Sequence, residues 1–456
     1  MKHDVIIIGG GLSGLSAAVE LASRHIPALL LEARPHLGGR TRSFRDETSG
    51  DVVDNGQHLL MGCYEETRRL LKTVGADHLA KLQPNLHIDF LHPRKGFSSL
   101  SCPPLPAPLH VLAGLLRLRS LPFEDRVKLA RVGLELLRKP SKVERELGPM
   151  TVDEWLTSLG QPAENKKYLW DVIAIGSLND DPKVVSALLF YRVLRAAFLG
   201  RRQNSSMLLP IVGLSELFVE PSIRYLDARG SEAKTGCGVE ELLCGGDRAV
   251  AARCADGVTR GAKAFVVTVP HYAFVDLLRA SRGLHGHGFQ SVEEFESSPI
   301  VTVNLWLDRR VLEHEFVALL DSRVQWIFNR TRMLNLPSKS GQHLALVISG
   351  AGPFVEMGKE ELVKLAMEDL RAALPEARSA NVVHGLVIKE KRATFSPKPG
   401  IEKLRPGTET ELENLFLAGD WTATGFPATI EGAVLSGRKA AMMAERYLKR
   451  FVDVPA

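Results

Sequence analysis

The sequence predicts an α/β fold built around a nucleotide-binding parallel sheet, and three stretches carry that prediction. Asp4 to Ile8 (DVIII) is a β-branched run that breaks into Gly9-Gly10-Gly11-Leu12-Ser13-Gly14, followed by an alanine- and leucine-rich stretch from Leu15 to Ala22. Pro27 to Leu31 is a second strand-like run ending at Glu32. Near the other terminus, Asn414-Leu415-Phe416-Leu417-Ala418-Gly419-Asp420-Trp421 reads as a buried strand ending in Gly-Asp, with a long helix from Ile430 to about Phe451 beyond it.

Gly9, Gly11 and Gly14 fit G-x-G-x-x-G between a strand and a helix. The first glycine permits the tight turn, the second lets a pyrophosphate approach the backbone, and the third lets helix and strand pack closely. The phosphates then sit at the helix N-terminus, where free N–H groups and the dipole favour negative charge. Glu32 lies about twenty residues past the motif, where a carboxylate accepts from a ribose 2′-OH. The C-terminal strand-Gly-Asp and the glycine-rich helix start after it (Gly425 to Ala433) are not needed for an NAD site; they suit a longer cofactor with a diphosphate and a ribityl chain.

The 456 residues suggest two or three domains, with 45% hydrophobic and 24% charged residues as in ordinary globular chains. A net charge of +5, from 58 basic and 53 acidic residues, is a mildly basic surface rather than a nucleic-acid footprint, and no nucleic-acid motif accompanies it. Five scattered cysteines, never spaced C-x-x-C, suggest neither a disulfide framework nor a metal site, and point to a reducing cytoplasm. The N-terminus lacks a signal-peptide pattern, and no run of eighteen apolar residues predicts a membrane span.

Along the chain, Arg34-Pro35-His36-Leu37-Gly38-Gly39-Arg40 places a glycine pair between arginines that can reach phosphate or ribose oxygens; a plain Pro/Gly turn is the alternative. Val52 to Leu60 reads as a strand running into a turn that clusters Asp54, Asn55, Gln57 and His58 around Gly56. Helical spacing covers Tyr64 to Val74 and Asp77 to Leu82, and Leu86 to Leu91 reads as strand. Four prolines between Cys102 and Pro108 impose an extended connection. Leu109 to Leu121 (LHVLAGLLRLRSL) is either part of a buried helix pair or an apolar surface that meets lipid, and Glu124 to Leu137 is helical. Thr151 and Glu154 form a capping-box pattern, and helices continue to about Leu199. A helix over Leu214 to Leu226 precedes strands at Lys234 to Leu243, Val250 to Cys254 and Ala264 to Val269, then a helix from Tyr272 to Leu278. Strands at Ile300 to Leu307, Gln325 to Asn329, Leu344 to Ser349 and Val382 to Glu390, with a helix at Lys359 to Leu374, predict a second, α+β region facing the cofactor.

Taken together, Gly9 to Gly14 with Glu32, Gly38-Gly39-Arg40 and the C-terminal LFLAGDW…TIEGA…SG resemble the flavin amine oxidase and carotenoid desaturase superfamily. More closely, Val53 to Leu60 (VDNGQHLL) and Ala418-Gly419-Asp420-Trp421-Thr422 resemble hydroxysqualene dehydroxylases, the squalene-associated FAD-dependent desaturases of bacterial hopanoid pathways. The resemblance implies a Rossmann-like FAD-binding domain built from discontinuous segments (1–75, 205–280 and 395–456), an inserted α+β substrate domain (76–100 and 281–394) and a helical subdomain (101–204) with a candidate membrane-facing surface. It implies Gly9, Gly11, Leu12, Ser13 and Gly14 at the pyrophosphate, Glu32 and Ala33 at the adenosine ribose, and Arg34, Gly39 and Arg40 beside the diphosphate and ribityl oxygens. Val239 meets the adenine through its backbone, Gly419 and Asp420 hold the ribityl chain or pyrophosphate, and N–H groups near Thr429, Ile430 and Glu431 face the flavin pyrimidine edge. A helix N-terminus there favours the negative charge of reduced flavin. Gly56, Gln57 and His58 lie close to the isoalloxazine.

One departure from the amine oxidases is the absence of paired aromatics in the C-terminal segment, where only Phe426 precedes Pro427-Ala428. The same segment, Ala418 to Ala433, has no Cys or His for a covalent linkage, so the FAD is expected to be noncovalent. The leading expectation is reductive removal of the allylic hydroxyl of hydroxysqualene to give squalene, with His58 as candidate proton donor, Gln57 orienting the hydroxyl, and Asp54 or water next in line as the acid. Oxidative desaturation or amine oxidation, and a non-catalytic flavoprotein partner in a terpenoid-synthesising complex, stand as alternatives. The expected partners are a hydrophobic isoprenoid substrate, other squalene-synthesis enzymes and the inner face of a membrane, from a cytoplasmic location.

Overall fold

The computed structural model describes residues 3–284, 288–336 and 341–450. Five parallel strands form its nucleotide-binding layer in the order Glu232–Lys234, Ala28–Leu31, Val5–Ile8, Ala264–Val267, Leu415–Leu417. Because both faces of a parallel sheet are covered, the three central strands are continuous apolar runs, buried along their whole length. Alternate residues serve opposite layers. Val5, Ile7, Leu30 and Val266 pack against helices Leu12–Ser23 and Ile430–Lys449, while Ile6, Ile8, Leu31 and Phe265 join the core that contains Leu242, Ala252 and Phe274. The two helices touch backbone to backbone, since a Cβ on Gly437 would lie 2.0 Å from the Ser13 carbonyl oxygen.

The predicted strand from Lys234 to Leu243 is in fact two. Glu232–Lys234 ends the parallel sheet, the chain turns at Gly236, and Val239–Gly245 begins an antiparallel sheet with Arg248–Cys254 and Thr259–Gly261. The predicted helix over Asp77 to Leu82 also differs: only Asp77–Leu79 is helical, and Ala80–Leu82 pairs with Met207–Pro210. Its neighbour in that sheet lies far along the chain, and local spacing does not register such a partner.

A seven-stranded sheet runs Val382–Phe395, Ser297–Leu307, Gln342–Ser349, Trp326–Asn329, Phe316–Leu319, His87–His92, Gly96–Ser101. It is antiparallel apart from the pairing of Phe316–Leu319 with His87–His92. Val301, Val303, Leu344 and Leu346 pack on one face against helix Lys359–Ala373. Its other face carries Asn304, Trp306 and His343 toward the hairpin Ser43–Arg45/Val52–Asp54, where Trp306 Nε1–H donates to Asp51 Oδ2 at 2.7 Å. Between residues 109 and 198 the chain is a series of helices joined by short connections, and helix Val152–Ser158 begins with the predicted reciprocal cap: Thr151 Oγ1 accepts from Glu154 N–H and Glu154 Oε2 from Thr151 N–H. No helix among the described residues is long and apolar enough to cross a membrane. The C-terminal helix is described to Lys449, and Phe451, its predicted end, lies outside the described residues.

Candidate active site

The C-terminal edge of the parallel sheet collects most of the sequence-predicted site. Gly9 turns with φ +110°, and its missing side chain leaves room for Thr268, whose Oγ1 donates to the Gly9 carbonyl at 2.7 Å. A Cβ on Gly14 would come within 1.9 Å of that same carbonyl, whereas a Cβ on Gly11 would meet nothing within 4 Å. Gly14 is thus required by packing and Gly11 faces open space. The first intrahelical bond runs from Leu15 N–H to the Gly11 carbonyl, so the N–H groups of Leu12, Ser13 and Gly14 point out of the helix end. Ser13 contributes only its backbone there; its hydroxyl is buried against Ser436 Oγ at 3.1 Å.

Glu32 extends from its strand to accept from Gly10 N–H at 2.6 Å and Arg34 N–H at 2.8 Å, which fixes the carboxylate beside the glycine turn. Gly236 to Val239 come alongside, with Cys237 N–H bonded to the Glu32 carbonyl and Gly238 packed on Ala33. Gly38 and Gly39 are no ordinary turn. Gly38 N–H donates to the Gly10 carbonyl and Gly39 backs onto Gly11, so the second glycine pair supports the first. Arg34 is exposed. Arg40 turns inward, 2.8 Å from Asp420 Oδ2 and 2.5 Å from the Ala393 carbonyl. Burial opposes its charge, and Asp420 more than restores it.

Asp420 follows Gly419, whose N–H donates to Ser436 Oγ at 2.8 Å, so one serine joins the last strand, the long C-terminal helix and the first helix. Thr429 caps the C-terminal helix by accepting from Gly432 N–H, leaving the N–H groups of Ile430 and Glu431 at its open end. The Glu431 side chain is spent elsewhere: it accepts from Glu66 N–H, Thr67 N–H and Thr67 Oγ1, capping helix Glu65–Thr73 from outside. Its part in a cofactor site is confined to its backbone.

On the strand-to-turn segment, Asp54 is not free to act as an acid. Its carboxylate accepts from Ser43 Oγ at 2.6 Å and Leu214 N–H at 3.0 Å, and lies 2.8 Å from Arg330 Nη2 in a pair whose side chains are 1% exposed. This pair ties the seven-stranded sheet to the Gly56–His58 turn. His58 Nδ1 lies 2.8 Å from the Gly56 carbonyl, which can only accept, so Nδ1 carries the hydrogen and Nε2 is left for a ligand. Surrounding protein atoms push the His58 pKa below its ordinary value, with Arg40 adding to the effect and Gly56 and Asp54 opposing it. Gln57 Nε2 is buried without a protein hydrogen-bond partner, a donor still free to bind.

Besides Arg330, two further groups carry no mark in the sequence. Arg405, its side chain 0% exposed, donates to the Trp421, Asp420 and Phe426 carbonyls, Thr424 Oγ1 and Glu402 Oε1, and so shapes the loop from Asp420 to Phe426. No motif marks it. Cys237, Cys254 and Asp256 also come together, although no C-x-x-C spacing announces them. Arg260 already holds Asp256 with two hydrogen bonds, at 2.8 and 2.6 Å.

The donors fit an FAD: an open glycine turn at a helix N-terminus, a fixed carboxylate one strand away, and a second helix N-terminus beyond Asp420. Fold and site together define a dinucleotide-cofactor oxidoreductase. The chain belongs to the flavin containing amine oxidoreductase family, whose profile matches residues 12–443, and its cofactor is FAD. It is 30% identical to the hydroxysqualene dehydroxylase of Sinorhizobium fredii over 97% of this chain and 99% of that one, and therefore belongs to that enzyme's family as well. It is 27% identical to the 15-cis-phytoene desaturase of Capsicum annuum, over 96% of this chain and 77% of that one. Among solved structures, cyclohexylamine oxidase from Brevibacterium oxydans shares the fold with a TM-score of 0.71 at 18% identity, covering 98% of this chain and 100% of its own.

Proposed function

We propose that this flavoenzyme acts on a polyisoprenoid and removes the allylic hydroxyl of hydroxysqualene to give squalene, as a step toward hopanoids. The observation that carries this reading is similarity to a hydroxysqualene dehydroxylase along essentially the full length of both chains. In this reading the Leu12–Gly14 N–H groups hold the pyrophosphate, Glu32 the adenosine ribose, Val239 the adenine, Arg40 and Asp420 the ribityl-diphosphate junction, and the Ile430 and Glu431 N–H groups the pyrimidine edge. FAD held there would, when reduced, supply a hydride for the substrate. The Gln57 amide donates to the substrate hydroxyl and orients it. From the imidazolium form of His58, whose Nε2 then carries a hydrogen, a proton would pass to that oxygen as the C–O bond breaks and water leaves, while the hydride makes up the balance at carbon. His58 then regains its proton from solvent while Nδ1–H stays bonded to Gly56.

Oxidative desaturation is the second reading, favoured by the similarity to a phytoene desaturase. The direction of electron flow separates the two. Photoreduced holoenzyme incubated anaerobically with hydroxysqualene is expected to yield squalene by mass spectrometry. Unchanged hydroxysqualene, together with polyene products from the oxidised enzyme, would select desaturation instead.

A further inference from the structure

Helix Phe123–Leu137 is apolar on two opposite faces. Leu129, Val132 and Leu136 point into the core and are 3% exposed or less. Phe123, Val127, Leu134 and Leu137 point outward with exposures of 67%, 51%, 65% and 62%. At 3.6 residues per turn these four fall within about 80° of arc on a helix about 22 Å long, a continuous outer stripe. The neighbouring helix Leu109–Leu116 repeats the pattern: Val111 and Leu115 are buried, while Leu109, Leu112 and Leu116 face solvent at i, i+3 and i+7. Leu115, which the sequence placed on a candidate lipid-facing segment, belongs to the core.

Single exposed leucines need no explanation, but a stripe on each of two touching helices does. Cations outnumber anions around them, nine to five over residues 109–147, with Glu124 the exposed anion beside Phe123. Arg117 and Arg119 stand exposed in the turn between the two helices, Arg131 flanks the longer stripe, and Lys139 and Lys142 follow its end. We propose that this face seats the protein on an anionic bilayer surface, with the leucine and phenylalanine side chains in the acyl boundary and the cations among lipid phosphates. A second copy of the chain is the poorer occupant, because two such faces brought together would oppose their own cationic rims. A surface of this kind lets a water-insoluble substrate pass from lipid to protein without crossing water; that purpose rests on the function proposed above, whereas the docking itself does not.

The test uses FAD-loaded protein and a Phe123→Ser/Leu134→Ser variant, both positions being exposed and absent from the site. With vesicles of phosphatidylcholine and phosphatidylglycerol in equal parts, the wild type is expected to co-sediment, and the variant to bind at least about tenfold more weakly. The wild type should bind pure phosphatidylcholine less well, and added salt should weaken its binding to the mixed vesicles. The variant should keep its flavin and its turnover of detergent-dispersed hydroxysqualene, and lose turnover of vesicle-embedded substrate. Equal sedimentation of the two proteins would overturn the proposal, as would a wild-type dimer by light scattering that the variant dissociates. If vesicle binding behaves as described but hydroxysqualene is not turned over at all, the substrate assignment fails and the docking surface stands.

Discussion

At the scale of single residues, His58 carries the heaviest chemical demand. Its Nδ1–H is committed to Gly56, and burial places its pKa below the ordinary histidine value of about 6.5. If Nε2–H is the acid, kcat/KM for dehydroxylation is expected to be highest at low pH and to fall as pH rises through a value below 6.5. His58→Ala should slow turnover by roughly 10² to 10⁴ with FAD affinity nearly unchanged; normal turnover would send the search for the acid to bound water, since Asp54 is already engaged. Glu32→Ala removes the acceptor that fixes Gly10 and Arg34, and should weaken FAD binding by about 1.5 to 3 kcal/mol in a fluorescence titration. Equal affinity would remove Glu32 from the ribose. His271 makes a prediction about stability. Burial holds its pKa at about 4 against 6.5 unfolded, so between those values the unfolded chain binds a proton that the folded chain refuses. Stability is therefore full above about pH 6.5 and declines as pH falls toward 4. From pH 7 to pH 5 this group alone should cost about 2 kcal/mol, and His271→Gln should flatten that part of a denaturation series. An unchanged slope would mean that His271 titrates normally.

Elements differ in how much of their placement their own residues declare. The Val5–Ile8 strand, the glycine turn, helix Leu12–Ser23 and the Leu415–Leu417 strand were legible because each is fixed by local rules: continuous burial, a turn only glycine permits, a helix start. The strand Ala80–Leu82 was not, because its partner is Met207–Pro210, and neither was Phe316–Leu319, whose four residues alone do not distinguish strand from buried helix. Arg330 and Arg405 were equally silent in the sequence, since a buried arginine is defined by carboxylates and carbonyls that folding brings to it. Arg405 organises the element that joins the last strand to the C-terminal helix. Arg405→Met would leave Glu402 and three backbone carbonyls short of a donor, and is expected to cost about 3 to 5 kcal/mol and to release FAD during gel filtration. Arg405→Lys should recover part of the stability, because one ammonium cannot span the five acceptors that the guanidinium reaches. Wild-type stability and flavin retention in both variants would show that the loop from Asp420 to Phe426 holds its shape unaided.

Across the whole molecule, the parallel sheet presents its glycine turn, Glu32 and Asp420 at one edge, and the polar face of the seven-stranded sheet closes over the Gly56–His58 turn through Asp54–Arg330 and Asp51–Trp306. The helical segment keeps its outer stripes exposed. On the proposed function, such an arrangement would put the redox cofactor, a proton donor at His58 and an apolar surface on one chain, which is what an allylic dehydroxylation of a lipid-borne alcohol would need. The central chemical claim is that a hydride is delivered to the allylic system from which oxygen departs. The direct measurement is a single anaerobic turnover of hydroxysqualene by holoenzyme reduced in deuterated solvent, followed by mass spectrometry of the product. The expected product is squalene carrying one deuterium, at the carbon that lost oxygen or at its allylic partner. Squalene without deuterium, or no squalene at all, would contradict the account.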